Sequence, residues 1–204
     1  HPFTIYELGA GHGNFSFYLL NELKKIENSL PCPLHFILID GAQHNLDFWN
    51  EHHAFLPLNT TKITVSFKCM DFFNLQDYLD DFSKPLFNPA VLITNYLFDS
   101  LFNDIIAPTK TGFSHLALSI YSPKKNLKQN IPTNLEALKY QYTYGKQHIE
   151  PFYEDPFINQ IITKNYFIDT TPYITIPISM THIVNFFRNQ CKQPLMMLTT
   201  DKGY

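Results

Sequence analysis

The chain has 204 residues, of which 45% are hydrophobic, 16% aromatic and 16% charged, with a formal net charge of −3. That length suits one domain with an inserted lobe, and the apolar content supports a packed core and excludes a disordered chain. No basic run exceeds Lys24-Lys25 or Lys124-Lys125, and no apolar stretch approaches the about 18 residues of a membrane span, so neither nucleic acid nor membrane is an expected partner.

The first predicted element is the apolar run Thr4 to Leu8, which reads as a buried parallel strand. Gly9, Gly11 and Gly13 follow at alternate positions, and a periodic segment begins after Asn14. Strand, glycine turn and helix start thus fall within a dozen or so residues. Glycine lets backbone approach a ligand closely, and a helix start offers N–H groups and a positive dipole end. Nucleotide-like ligands dock on such turns, although an ordinary glycine-rich turn has the same appearance. The spacing is GxGxG rather than GxGxxG, and no GK[ST] occurs, so neither a dinucleotide fingerprint nor a P-loop is present.

Phe15 to Asn28 is predicted as a helix in which Phe15, Tyr18, Leu19, Glu22, Leu23 and Ile26 recur at helical spacing with one apolar side, and Asn14 is its N-cap. Pro31 and Pro33 end it. Leu34 to Ile39 is a second strand closed by Asp40-Gly41. A carboxylate there can accept from both hydroxyls of a ribose, or it can simply begin a turn. Asn45 to Phe55 is a second helix, with Leu46, Trp49 and His53 on one side. Ile63 to Cys69 is a third strand leading to Met70-Asp71-Phe72. Asp71 either contacts a ligand or caps a helix over Asn74 to Phe82, or both. Pro85 to Pro89 is a loop, and Ala90 to Thr94 is a fourth strand followed by Asn95-Tyr96-Leu97-Phe98-Asp99-Ser100-Leu101.

The middle is less regular. Gly112 to Tyr121 reads as a strand, Ser122 to Thr133 as a polar, lysine-rich loop or flap, and Leu135 to Tyr144 as helix or strand. Tyr140, Tyr142 and Tyr144 alternate, as in a half-buried strand or a substrate groove. Pro156 to Asn165 is a helix, Tyr173 to Ile178 a strand, Thr181 to Cys191 a helix and Pro194 to Thr200 a final strand. Two topologies are open. Either Phe113 to Tyr121 is the fifth strand of the main sheet, or Pro194 to Thr200 is and residues 105 to 178 form an inserted lobe. Cys32, Cys69 and Cys191 are sparse and form no CxxC, which fits a reducing, cytoplasmic compartment. Adjacent His52 and His53 point apart on a helix, so no metal is expected. The chain starts almost on its first strand and reads as a fragment.

Glu7-x-Gly9-x-Gly11-x-Gly13 resembles motif I of class I S-adenosylmethionine (SAM)-dependent methyltransferases. The resemblance implies an α/β fold, a Rossmann-like, mostly parallel twisted sheet with helices on both faces, and a lobe inserted after the fourth strand. It also implies SAM as cofactor. Glu7, Gly9, Ala10, Gly11, Gly13 and Asn14 would surround its methionine part, Asp40 and Gly41 its ribose, and Asp71 and Phe72 its adenine. More narrowly, ELGAGHGN, ILID and LITNYLFDSL resemble the MidA family, the mitochondrial complex I assembly factor methyltransferases and their bacterial relatives. Their second motif resembles N-E-L-F-D-A-L, matched by Asn95, Leu97, Phe98, Asp99 and Leu101; PLMMLTTDKGY resembles their strand ending in D-Y-G-Y, through Asp201, Gly203 and Tyr204. These motifs cover roughly a third of the chain. Asn95 would touch the cofactor and, with Asp99, the reaction. The family implies methylation of a protein arginine, and a mitochondrial matrix location for a eukaryotic member. It also implies a core over residues 1–104, a cap lobe over 105–178, a return to the sheet over 179–204 and a chain that continues past Tyr204. Tyr96 stands where the family has an acid, which a guanidinium would need. A catalytically inactive, methyltransferase-like scaffold is the alternative from another class; the oligomeric state is not readable.

Overall fold

The computed structural model describes residues 2–78, 89–109, 112–121, 138–148, 153–165 and 173–200. They fall into two compact units, His1–Phe102 with Ile178–Tyr204, and Asn103–Pro177. In the first, parallel strands β1 (Phe3–Leu8), β2 (Leu34–Asp40), β3 (Ile63–Cys69), β4 (Ala90–Asn95) and β9 (Leu195–Thr200) form a sheet in the order β3-β2-β1-β4-β9. The order reverses between β1 and β4, which is the switch point where open α/β sheets bind ligands. Every described pairing in this sheet is parallel.

Helices cover both faces, as all-parallel sheets require. On one face α1 (Asn14–Lys25) and α2 (Gln43–Glu51) pack Leu20 and Trp49 onto Ile5, Phe36, Leu38 and Ile93. On the other, α4 (Ile178–Gln190) packs Ile183, Phe186 and Phe187 onto Tyr6, Leu8, Ile39 and Leu92. Alternate residues of β1 and β2 serve opposite faces, so these strands read as continuous apolar runs.

The second unit has an antiparallel sheet of order β7-β6-β5-β8, made from β5 (Asp104–Thr109), β6 (Gly112–Tyr121), β7 (Lys139–His148) and β8 (Ile174–Ile176), and a helix α3 (Pro156–Asn165). Leu116, Leu118 and Ile120 face Tyr144, Tyr142 and Tyr140 in register. β6 therefore belongs to this sheet, and β9 is the fifth strand of the parallel one; of the two open topologies the structure has the second.

Several local expectations are corrected. Gly13, at φ 78°, is the N-cap of α1, and Asn14 makes no side-chain cap bond. The buried stripe of α1 runs through Ser16 and Leu20, whereas Phe15, Tyr18 and Ile26 are exposed. The helix is rotated because its buried side must receive Ser16 beside Glu7. α2 stops at Glu51, and His53 turns the chain at φ 57°, so it shares no face with Trp49. A short 3-10 turn, Leu75–Tyr78, is what is described of the helix expected over 74–82. β5 was not expected; its Pro108 hides a strand pattern. The loop at 85–88, the lysine-rich 122–133 and Asp201, Gly203 and Tyr204 lie outside the described residues.

Phe187→Ala, at a fully buried ring, should lower unfolding free energy by about 3–5 kcal/mol in urea titration. Tyr18→Ala, at a 71% exposed ring, should change it by no more than about 0.5 kcal/mol. A large loss at Tyr18 would put the stripe of α1 back where its aromatic residues suggest.

Candidate functional site

The site is built where β1, β2, β3 and β4 end. After Leu8 the chain makes three left-handed turns of backbone, with φ of 71° at Gly9, 56° at Gly11 and 78° at Gly13. Two of these glycines serve different needs. A Cβ on Gly13 would lie 2.9 Å from Phe55 Cζ and 3.0 Å from Trp49 Nε1, so this glycine lets α1 and α2 pack. A Cβ on Gly11 would meet nothing within 4 Å. That open face is a cradle beside the backbone, the geometry by which a ligand approaches a glycine turn. The N–H groups of Gly9 and Ala10 both donate to the carbonyl of Ile39, at 2.8 and 3.1 Å, which holds the turn against the end of β2.

Asp40 closes the hollow from β2. Its Oδ2 accepts from Gly11 N at 2.8 Å and its Oδ1 from Ala42 N at 2.9 Å. Each oxygen of an ionised carboxylate has two lone-pair sites, so one remains on each for hydroxyl donors. Gly41 follows, and a Cβ there would stand 4.0 Å from Phe72 Cδ2. Phe72 is thereby the neighbouring apolar wall.

Glu7 lies beneath the turn, 3% exposed, and the Ser16 hydroxyl of α1 donates to its Oε2. Burial, and next the charge of Asp40, push its carboxyl up to about 8. Glu7 is therefore largely neutral at pH 7, and Asp40 is the nearby carboxylate that carries charge. Ser16 is a site residue that sequence reading missed; only its place one turn into the helix, opposite an acid on β1, would have marked it.

Asp71 acts as a turn cap. Its Oδ1 accepts from Phe73 N at 2.9 Å and its Oδ2 from the Asn74 amide at 2.6 Å, while its own N–H donates to Tyr78 Oη at 2.9 Å. Asn95 ends β4, and its Oδ1 accepts from the Thr200 hydroxyl. Tyr96 follows at φ 53°, 60% exposed, with its N–H on Thr200 O at 2.9 Å. Asp99 is exposed in the short 3-10 turn Phe98–Ser100. Asn14 is exposed at the start of α1. The structure thus brings Glu7, Ala10, Gly11, Asp40, Gly41 and Phe72 together, commits Asp71 to its own turn, and leaves Asp99 and Asn14 facing solvent. Among the described residues no group of three His, Cys, Asp or Glu could hold a metal ion.

No family model and no curated protein matches this chain. Solved structures do. One is a COG1565 superfamily member from Burkholderia thailandensis, described as a "likely methyl transferase" and bound to S-adenosyl-homocysteine, with 14% identity and a TM-score of 0.55. Another is an uncharacterised COG1565 superfamily protein of the same organism, with 12% identity and a TM-score of 0.57. The alignments cover 100% of this chain but 42% and 44% of those chains, so the chain spans less than half their length. At such identity the likeness is one of fold, and the fold is the α/β, mostly parallel arrangement of these proteins.

The raised carboxyl of Glu7 sets a pH dependence. An unfolded glutamate titrates near 4.5 and the folded one near 8, so between these values the folded chain holds the extra proton. Stability should therefore fall as pH rises through that window. Glu7→Gln removes the titrating group, and thermal unfolding followed from pH 5 to 8.5 should show a flatter profile than the parent chain. Parallel profiles would mean that Glu7 is ionised throughout.

Proposed function

We propose that this chain binds SAM in the hollow at the ends of β1 to β4 and acts as a SAM-dependent methyltransferase. The observation that carries the reading is the open cradle at Gly11, edged by an Asp40 carboxylate that is tied to the Gly11 N–H and still has acceptor sites to give. The complex of a structural neighbour with S-adenosyl-homocysteine supports it. When bound, SAM supplies an electrophilic methyl group on a sulfonium. In this reading Glu7, Gly9, Ala10, Gly11 and Gly13 shape the methionine end of the hollow, and Asp40 and Gly41 receive the ribose. Phe72 covers the adenine; Asp71, held in its turn, keeps Phe72 in place and offers its remaining acceptor capacity to the ring's amino group. Asn95, oriented by Thr200, borders the reacting end, and Asp99 stands nearest the acceptor.

The acceptor we favour is a protein side chain. Arginine follows from the resemblance to the MidA family, but Tyr96 replaces the acid that would orient a guanidinium. A second reading, a non-catalytic scaffold that keeps the pocket, is favoured by the same residue. We place the protein in a reducing compartment, the cytoplasm or a mitochondrial matrix.

Calorimetric titration with S-adenosyl-homocysteine should show saturable binding. Gly11→Ala should weaken it at least about tenfold, because the added methyl fills the open face and, at φ 56°, also strains the left-handed turn; a thermal melt of the variant measures that second cost separately. Equal affinity for both chains would remove the cofactor from this hollow. Incubation with methyl-labelled SAM and a cell extract then separates the two readings: labelled protein marks the enzyme, and binding without label marks the scaffold.

A further inference from the structure

A cavity of about 730 Å³ runs along α4, and no residue of the hollow described above lines it except Phe72. Its volume lies in the range of small-molecule sites. Helix α4 turns Ile183 and Phe187 to the sheet. Its other stripe, His182, Asn185 and Asn189, at spacings of three and four, forms one wall. Gln76 and Gln190 add two more carboxamides. The facing wall is aromatic. The rings of Phe73 and Phe102 meet edge to face, with centroids 5.1 Å apart, and both are largely exposed, at 55% and 73%.

The chemistry of this lining is selective. It holds no carboxylate, ammonium or guanidinium among the described residues. No permanent cation or acid stands there to meet an anion or a guanidinium, and either would lose hydration without a fixed charged partner. Carboxamides carry both donors and acceptors, so they complement a group that does the same. Phenyl rings offer a face or an edge to a flat ligand. We propose that this cavity binds an uncharged, planar group carrying both an N–H donor and a carbonyl-type acceptor, such as an aromatic carboxamide or a neutral heterocyclic base. The site adjoins the cofactor hollow through Phe72, and it stands independently of methyl transfer.

The test uses three probes of one shape: benzamide, benzoate and benzamidinium, titrated into ¹⁵N-labelled chain and read by amide shifts. Benzamide should move resonances of His182 to Gln190 and of Phe72 to Gln76, and bind about tenfold tighter than either ion. Asn189→Leu and His182→Leu, at exposed positions the core does not use, should each weaken benzamide several-fold with an unchanged transition temperature. Equal response to all three probes, or none, would overturn the proposal. Repeating the titration with saturating S-adenosyl-homocysteine guards against confusion with the cofactor. If benzamide shifts persist, the cavity is a second site; if the nucleoside abolishes them by occupying α4 itself, the cavity is its adenine subsite and the proposal falls. Benzamide binding with no response to the nucleoside would overturn the methyltransferase reading alone.

Discussion

Asp40 holds three turns at once. Its two carboxylate oxygens tie Gly11 N after β1 and Ala42 N after β2, and its own carbonyl accepts from Met70 N after β3 at 2.9 Å. The parallel register brings this about. Leu8 pairs with Ile39, and Asp40 pairs with Cys69, so the three strands end within one residue of each other. A shift of one residue would carry Asp40 to the other face and release all three turns. The hollow exists because the strands end together, and they end together because the alternating sides of β1 and β2 are both buried.

Much of this was legible in the chain, for a simple reason. Strands buried on both faces must be apolar throughout, and glycines that take left-handed backbone have few substitutes, so β1, β2, β4 and the turn at Gly9 to Gly13 announce themselves. The face of a helix is different. Aromatic residues in α1 are spread around its circumference, and the rotation is decided by Ser16 meeting Glu7 and by Leu20 meeting the sheet, partners distant in sequence. The role of Gly13 was hidden likewise, since it answers to Trp49 and Phe55 on a later element. Asp71 was readable as ligand contact, as cap or as both, because the same short side chain suits each; the bonds to Phe73 and Asn74 show the capping part. Strand β5 escaped because a six-residue run interrupted by Pro108 has no clear period.

The two acids of the hollow divide a task by environment. Glu7, desolvated beneath the turn and beside a second carboxyl, keeps its proton; Asp40, fixed by two N–H donors, is the group left to carry the charge. Were both ionised, their repulsion in a poorly hydrated site would open the turn that Asp40 closes. A neutral Glu7 also bonds Ser16 without adding charge, which seats the start of α1. One buried proton thus serves the packing of the first helix and leaves a single anionic edge on the hollow.

That single anionic edge bears on the reaction proposed. A sulfonium cofactor enters with a positive charge at sulfur and leaves as a neutral thioether, so a hollow with one fixed negative charge holds the reactant more strongly than the product. The two N–H donors of Gly11 and Ala42 take up part of the Asp40 charge and reduce this preference, but its sign favours exchange of product for reactant. The end of β4 is a different environment. Asn95 and Tyr96 contribute an amide and a phenol there, and Asp99, exposed to solvent, contributes a screened charge. A cationic acceptor would find little at this edge to offset its desolvation, whereas an acceptor that arrives neutral would not require it. In the proposed reaction Tyr96 would therefore bear on the acceptor alone, while Asp40 and Glu7 set the charge of the hollow.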